Sequence, residues 1–268
     1  MEQTIGFIGC GKMAQAMIGG MLQDEQIKPN QIIASSSTEK TLQKVTDKFE
    51  IRTTLDNQEV AAESDILFLA VSPKLYKNVI QEARTSVKSS VIIVTIAAGV
   101  SIEHVQHTFQ SNVKVVRTMP NTPSLVQEGM SAMCASDEVT SEELGTVQTL
   151  FETFGKVELI NEEQMDAIPA ISGSSPAYVY MMIEAMADGG VRQGLTRDQA
   201  YRLASQAVAG AAKMVLETGM HPGELKDQVT SPGGSTITAV SELEKQQFRG
   251  AVQSAMEQCS LRVKELSE

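Results

Sequence analysis

A chain of 268 residues has room for one large domain or two modest ones, each able to bury a core without disulfide staples. Its 42% hydrophobic and 21% charged residues are those of an ordinary globular protein, which excludes long disordered tracts and fibrous repeats. Thirty-three acidic against 22 basic residues give a formal charge of -11, and such a field repels phosphate backbones and anionic lipid surfaces, so no nucleic acid and no membrane is expected as a partner.

The opening residues enter a strand pattern directly, without the basic segment, apolar stretch and small-residue cleavage site of a secretion signal. Short runs rich in Ile and Val then alternate with helical periodicity, which predicts a parallel sheet with crossover helices. The predicted strands are 4–8, 31–34, 66–71, 91–96 and 113–117. None of the apolar runs approaches the roughly 18 residues of a membrane span. In the first helix Met13, Met17 and Met21 stack on one face and read as core. Ser36 followed by Glu39 has capping-box spacing for the second helix, and Ser101 starts another. Residues 129–135 and 156–160 read as later strands, possible antiparallel additions to the sheet, with a helix over 141–154 between them. The sheet domain ends near Asn161.

From Glu162 onward strand patterning gives way to Ala, Met, Leu, Gln and Glu, all strong helix formers. Ser175 and Pro176 supply an N-cap and a first-turn proline for a helix that stops at Gly194. A second helix covers 197–217, stopped by Gly219 and the His221-Pro222-Gly223 turn. Apolar residues extend around most of both helices, more than one two-layer contact absorbs, which predicts a subunit interface. The fold class is therefore α/β, with a Rossmann-type dinucleotide-binding domain over 1–161 followed by an all-α dimerisation and substrate-binding domain over 162–268. Cys10, Cys134 and Cys259 are far apart and form no C-x-x-C pair, so neither a disulfide framework nor a zinc site is indicated, and the expected location is cytoplasmic. His104 and His107 are three apart, as metal ligands can be, but two without a third read as a solvated face, and no metal is expected.

The sequence Gly9-Cys10-Gly11-Lys12-Met13-Ala14 is G-x-G-x-x-A at a strand-to-helix turn. Gly9 permits the turn, Gly11 admits a pyrophosphate close to the backbone, and Ala14 lets helix and strand pack closely. The helix start then offers unpaired N–H groups to phosphate. The acid that usually holds the adenosine ribose after the second strand is missing. In its place stand Ser35, Ser36, Ser37 and Thr38, with Lys40 one turn on, which favours NADPH over NADH while leaving NADH possible. Ala70, Val71, Pro73 and Lys74, then Ala97, then Met119, Pro120 and Asn121 leave three strands at the same carboxyl edge and suit a nicotinamide pocket. The run Ser231-Pro232-Gly233-Gly234-Ser235-Thr236 before a helical pattern reads as an anion nest for a substrate carboxylate, with Ser231 or Thr236 bonding a nearby polar atom.

These segments resemble the pyrroline-5-carboxylate reductases along essentially the whole chain. The resemblance rests on the glycine motif from Gly9, on Arg117-x-Met119-Pro120-Asn121-Thr122-Pro123, on Ser172-Gly173-Ser174-Ser175-Pro176-Ala177-Tyr178, and on His221-Pro222-Gly223-x-Leu225-Lys226-Asp227 continuing into Ser231-Pro232-Gly233-Gly234-x-Thr236. It implies NAD(P)H-dependent reduction of 1-pyrroline-5-carboxylate to L-proline, in homodimers joined through the C-terminal helices that in this family assemble further, often into decamers. It also implies a substrate held by Ser231, Gly233, Gly234, Ser235 and Thr236, with Thr236 and Ser231 catalytic and Thr236 nearest the ring nitrogen. The serines after the second strand depart from the Arg that many members carry there. A β-hydroxyacid dehydrogenase, the nearest rival, needs a Lys base on the first long helix of the second domain, and 173–191 holds none. A non-catalytic sensor would have no use for a carboxylate nest.

Overall fold

The computed structural model describes residues 3–24 and 27–267, with side chains described up to Glu265; the first two residues of the opening segment read for a secretion signal lie outside them. The amino-terminal part runs β1 (Ile5–Ile8), α1 (Lys12–Met21), β2 (Ile32–Ser35), α2 (Glu39–Phe49), β3 (Arg52–Thr54), α3 (Asn57–Glu63), β4 (Ile66–Leu69), α4 (Tyr76–Ala83), β5 (Ile92–Thr95), α5 (Ile102–Phe109) and β6 (Lys114–Met119). Then come β7 (Gly129–Ala135), α6 (Ser141–Glu152) and β8 (Gly155–Leu159). The strands form one sheet in the order β3-β2-β1-β4-β5-β6-β7-β8, parallel from β3 through β6, with β7 antiparallel to β6 and β8 parallel to β7. The order reverses between β1 and β4, and ligands bind at such switch points beyond the carboxyl ends of the strands.

Central strands are buried on both faces, so they carry unbroken apolar runs rather than alternation. On one face Met17 and Met21 are fully buried and Met13 packs at the edge, as their spacing predicts. A stack of aromatic rings crosses that core, Phe7 on Phe68 at 4.5 Å and Phe68 on Phe151 at 5.9 Å between centroids. The other face buries α3, α4 and α5 through Val60, Ile80 and Val105.

Two local readings are corrected. The strand β3 carries Arg52-Thr53-Thr54, with no apolar run to betray it, because it is a short sheet edge. The second helix is capped by Thr38, whose hydroxyl accepts from the Thr41 N–H, and not by Ser36; Glu39 is its first helical residue, so the box spacing from Ser36 has no helix to close. Ser101 does cap α5, accepting from the His104 N–H at 3.1 Å.

The chain forms two compact units: one ends at Ser174 and takes back the segment from Cys259, and the other is Ser175–Gln258. The second contains α7 (Ser175–Arg192), α8 (Arg197–Thr218), α9 (Pro222–Gln228), α10 (Ser235–Lys245) and the greater part of α11 (Phe248–Ser267). Ser175 is already helical and follows a π-helical turn, Pro169–Gly173, so it is not the N-cap predicted for α7. Thr196 caps α8 in a reciprocal box with Gln199, and Gly219 ends it in left-handed conformation. The turn expected at His221 is the start of α9, where the His221 Nδ1 accepts from the Gly223 N–H at 3.0 Å. Among described residues this helical unit buries only Ala187, Ala200 and Ala204, while Met181 is 70% and Leu216 83% exposed. No helix among the described residues is long and apolar enough to cross a membrane.

Candidate active site

At the end of β1 the chain turns through Gly9, whose φ is +96°. A Cβ there would lie 2.6 Å from the Ala70 carbonyl oxygen, so only glycine fits the approach of β1 to β4. Gly11 is the N-cap of α1, with extended backbone and no side chain bonding the first-turn amides, and a Cβ on it would meet nothing within 4 Å. The first N–H groups of α1 thus have no side-chain acceptor, which leaves them for a phosphate. Gln15 steadies the turn by donating from Nε2 to the Cys10 carbonyl at 2.9 Å.

Over this turn lies a cavity of about 300 Å³. Gly9, Cys10, Gly11, Ser36, Ala70 and Val71, all expected from the sequence, line it, together with Ser37 and Ser72 from the same segments. The structure adds Leu55, Asn57, Leu75 and Val79, which sequence reasoning missed. Asn57 follows the unrecognised strand β3, and the only local signal was Asp56, which caps α3 by accepting from the Gln58 N–H at 2.8 Å. Lined by hydroxyl, amide and aliphatic groups together, the cavity suits a nucleoside with its phosphates. A wider hollow of about 430 Å³ beside Gln15, Gly19 and Phe49 contains none of the predicted site residues.

The other predicted cofactor residues are placed differently. Ser35 is buried and its hydroxyl donates to Asn57 Oδ1 at 2.7 Å, so it orients that amide rather than lining the cavity. Ala14 is buried where α1 crosses the sheet, Lys12 opens α1 on the surface, and Met13 packs against the core. Pro73 and Lys74 form an exposed single turn before α4, outside the cavity lining. Ala97, Met119 and Pro120 stand at the ends of β5 and β6 with Ala97 and Pro120 buried. Asn121 is buried with both ends of its amide engaged, donating to the Ser172 carbonyl at 3.0 Å and accepting from the Met130 N–H at 2.9 Å. Burial pushes the Cys10 thiol up to about 11, so the cavity-lining sulfur stays neutral at physiological pH.

In the helical unit the nest residues form a tight turn into α10. The Gly234 N–H donates to the Ser231 carbonyl at 3.0 Å, and Gly233 takes φ +71°. Gly234 is the N-cap, and no side chain bonds the first-turn amides. A Cβ on Gly234 would lie 2.4 Å from the Ser231 hydroxyl and 3.2 Å from its carbonyl oxygen, so the Ser231 side chain would have to turn away to admit one. Ser235 and Thr236 belong to the first turn of α10, not to the loop proper, and both are exposed. Their amides and hydroxyls are open to a ligand anion and its neighbouring polar atom. Among described residues no three His, Cys, Asp or Glu side chains gather as a metal would need.

Comparison with known proteins agrees with both halves. Residues 162–266 match the family model for pyrroline-5-carboxylate reductase dimerisation, and residues 4–99 match that for coenzyme F420-dependent NADP oxidoreductases. The chain is 45% identical to the pyrroline-5-carboxylate reductase of Escherichia coli over all of both chains. With that of Methanosarcina acetivorans it shares 41%, over 100% of this chain and 99% of the other. Its fold matches the Plasmodium falciparum pyrroline carboxylate reductase, solved with NADP bound, at a TM-score of 0.91 and 31% identity, over 100% and 99% of the two chains. The Coxiella burnetii pyrroline-5-carboxylate reductase gives 0.91 and 32%, over 100% of both. An oxidoreductase with a Rossmann sheet, an uncapped glycine turn and a helical dimerisation region, this chain belongs to the pyrroline-5-carboxylate reductase family.

Proposed function

We propose that this protein reduces 1-pyrroline-5-carboxylate to L-proline, the last step of proline biosynthesis, using NADPH in preference to NADH. The observation that carries the reading is the turn Ser231–Gly234, where two glycines present an uncapped helix start on a chain with a net charge of -11. A carboxylate gains from such amides even though the surface as a whole repels it. Support for the phosphorylated cofactor comes from Ser36 and Ser37, hydroxyl donors in the cavity where an acid would repel a 2′-phosphate.

When bound, the reduced nicotinamide supplies a hydride for the imine carbon. The residues of the chain have the smaller tasks of holding and orienting. Gly233, Gly234 and Ser235 hold the substrate carboxylate through backbone N–H groups, and Ser231 supports the turn. Thr236 donates its hydroxyl hydrogen to the ring nitrogen, while its oxygen accepts from water, so a proton passes inward as the nitrogen becomes an amine. An imine nitrogen is basic enough that no stronger acid is required, and orientation supplies most of the acceleration. The domains are read as dinucleotide-binding over 1–161 and dimerisation with substrate binding over 162–268, which the end of the sheet at Leu159 and the match over 162–266 support. The apolar helical unit supports a homodimer through the C-terminal helices, further assembly into decamers resting on the family resemblance alone, and the three unpaired cysteines support a cytoplasmic setting.

The test follows loss of NADPH absorbance with pyrroline-5-carboxylate, with NADH and the Thr236→Ala variant in parallel. Rapid oxidation yielding proline is expected, with turnover of the variant lower by about tenfold or more at unchanged NADPH affinity. Unchanged turnover removes Thr236 from the mechanism, and no oxidation with either cofactor removes the substrate.

A further inference from the structure

We propose that Thr118, Thr95 and Tyr76 are positioning residues that set the nicotinamide end of the cofactor site by clasping the carboxyl ends of three adjacent strands. The inference rests on the dinucleotide reading above but not on the identity of the substrate. The Tyr76 hydroxyl donates to the Leu69 carbonyl at 2.7 Å and lies 2.8 Å from Thr95 Oγ1. From the other side Thr118 Oγ1 donates to the Thr95 carbonyl at 2.9 Å. Leu69 and Thr95 are the last paired residues of β4 and β5, and Thr118 lies one residue beyond Arg117, the partner of Thr95 on β6. All three hydroxyl side chains are buried, none more than 1% exposed.

A parallel ladder needs no side chain to hold it together, and the surrounding sheet is Ile, Val, Leu and Phe. Hydroxyls placed there cost desolvation unless each is bonded, so three that each bond at a strand end, Tyr76 to Thr95 Oγ1 and Thr118 to the Thr95 carbonyl, are a device and not filling. Burial pushes the Tyr76 phenol up to about 12, which keeps it a donor throughout the neutral range. Immediately beyond the clasped residues the chain leaves the sheet as Ala70-Val71, which line the cavity over the glycine turn, and as Ile96-Ala97 and Met119-Pro120, the segments predicted to face the nicotinamide. Backbone bonds fix strand register, whereas the hydroxyl clasp fixes the direction in which those segments depart. Hydride transfer tolerates little error in that direction.

The experiment is titration calorimetry of the full chain with NADPH and, separately, with 2′,5′-ADP, which carries the adenosine half alone. Thr118→Val deletes one bond of the clasp. It should weaken NADPH by up to about fivefold, because ordering of the loosened strand end must then be supplied by binding, and leave 2′,5′-ADP unchanged, while Thr118→Ser restores the wild-type value. Thr95→Val removes the link to Tyr76 and reads the same way should Thr118→Val not be recovered as folded protein. Equal weakening of both ligands, or unweakened NADPH, overturns the proposal while the dinucleotide reading stands. A wild-type chain that binds neither ligand overturns both.

Discussion

The amide of Asn121 joins Ser172 to Met130: it donates to the carbonyl of the first at 3.0 Å and accepts from the backbone N–H of the second at 2.9 Å. One buried side chain therefore ties the end of β6 both to the start of β7 and to the π-helical turn before α7. Asn121→Ala takes the partner from the Ser172 carbonyl and the Met130 N–H, both partly buried, at a cost of about 1–3 kcal/mol in all. Urea unfolding should show a lower midpoint with an unchanged slope, and a midpoint equal to wild type would mean that water replaces the amide at no cost.

Gly9 and Gly11 should fail in different ways. Alanine at Gly9 must hold φ at +96° and meets the Ala70 carbonyl, so the fold itself loses stability and the melting temperature falls by several degrees. Alanine at Gly11 meets nothing within 4 Å and leaves the melt unchanged, while its methyl occupies the phosphate's approach. Thermal melts paired with NADPH calorimetry separate the two, and a Gly11→Ala protein that binds NADPH normally would remove the glycine turn from the cofactor site.

Acid stability should depend on Asp65. Partial burial raises its carboxyl, but the Lys88 ammonium at 2.7 Å and the Thr4 N–H at 2.8 Å more than offset that, and the pKa lies below its ordinary value. The stabilisation is fully present above the unfolded carboxyl's pKa, about 3.9, and is lost as pH falls through the depressed folded value. Asp65→Asn should therefore lower stability at pH 7 and narrow the gap to wild type as pH is lowered through that window. A gap that stays constant with pH would assign the loss to hydrogen bonding alone.

The buried thiols give a chemical check on the core. Burial pushes both Cys10 and Cys134 up to about 11, Cys134 with a further upward push from Glu162 that Arg117 opposes. Neither should react with a thiol reagent near pH 8 in the native protein, and both should do so once it is unfolded. Native labelling of Cys10 would mean that the cavity opens further than its closed form. Bound NADPH should then suppress it.

How much of this was legible in the sequence depended on how local the cause was. The turn at Gly9 was readable because its reason is contained in six residues, and the central strands because burial on both faces forces apolar runs. The edge strand at Arg52 was not, since an exposed edge imposes no pattern, and Asn57 was lost with it. The cap of α2 was misplaced because Ser36, Ser37 and Thr38 are chemically equivalent as caps, and only the backbone path chooses Thr38. Ser35 and Asn121 have the polarity and the place in the chain of ligand residues. What the sequence could not show is that their hydrogen-bonding groups are taken up by Asn57, Ser172 and Met130, partners 22, 51 and 9 residues away.

A helical unit that buries only three alanines among its described residues has little cohesion of its own. In the proposed homodimer these apolar faces are covered where copies meet, so the free energy of that meeting counts toward stability by mass action. Dilution acts on such a protein as a mild denaturant. Its melting temperature should climb with protein concentration, and activity assayed at high dilution should decay with time as subunits part. In a cell the level of expression would then set the durability of each molecule as well as the number of active sites.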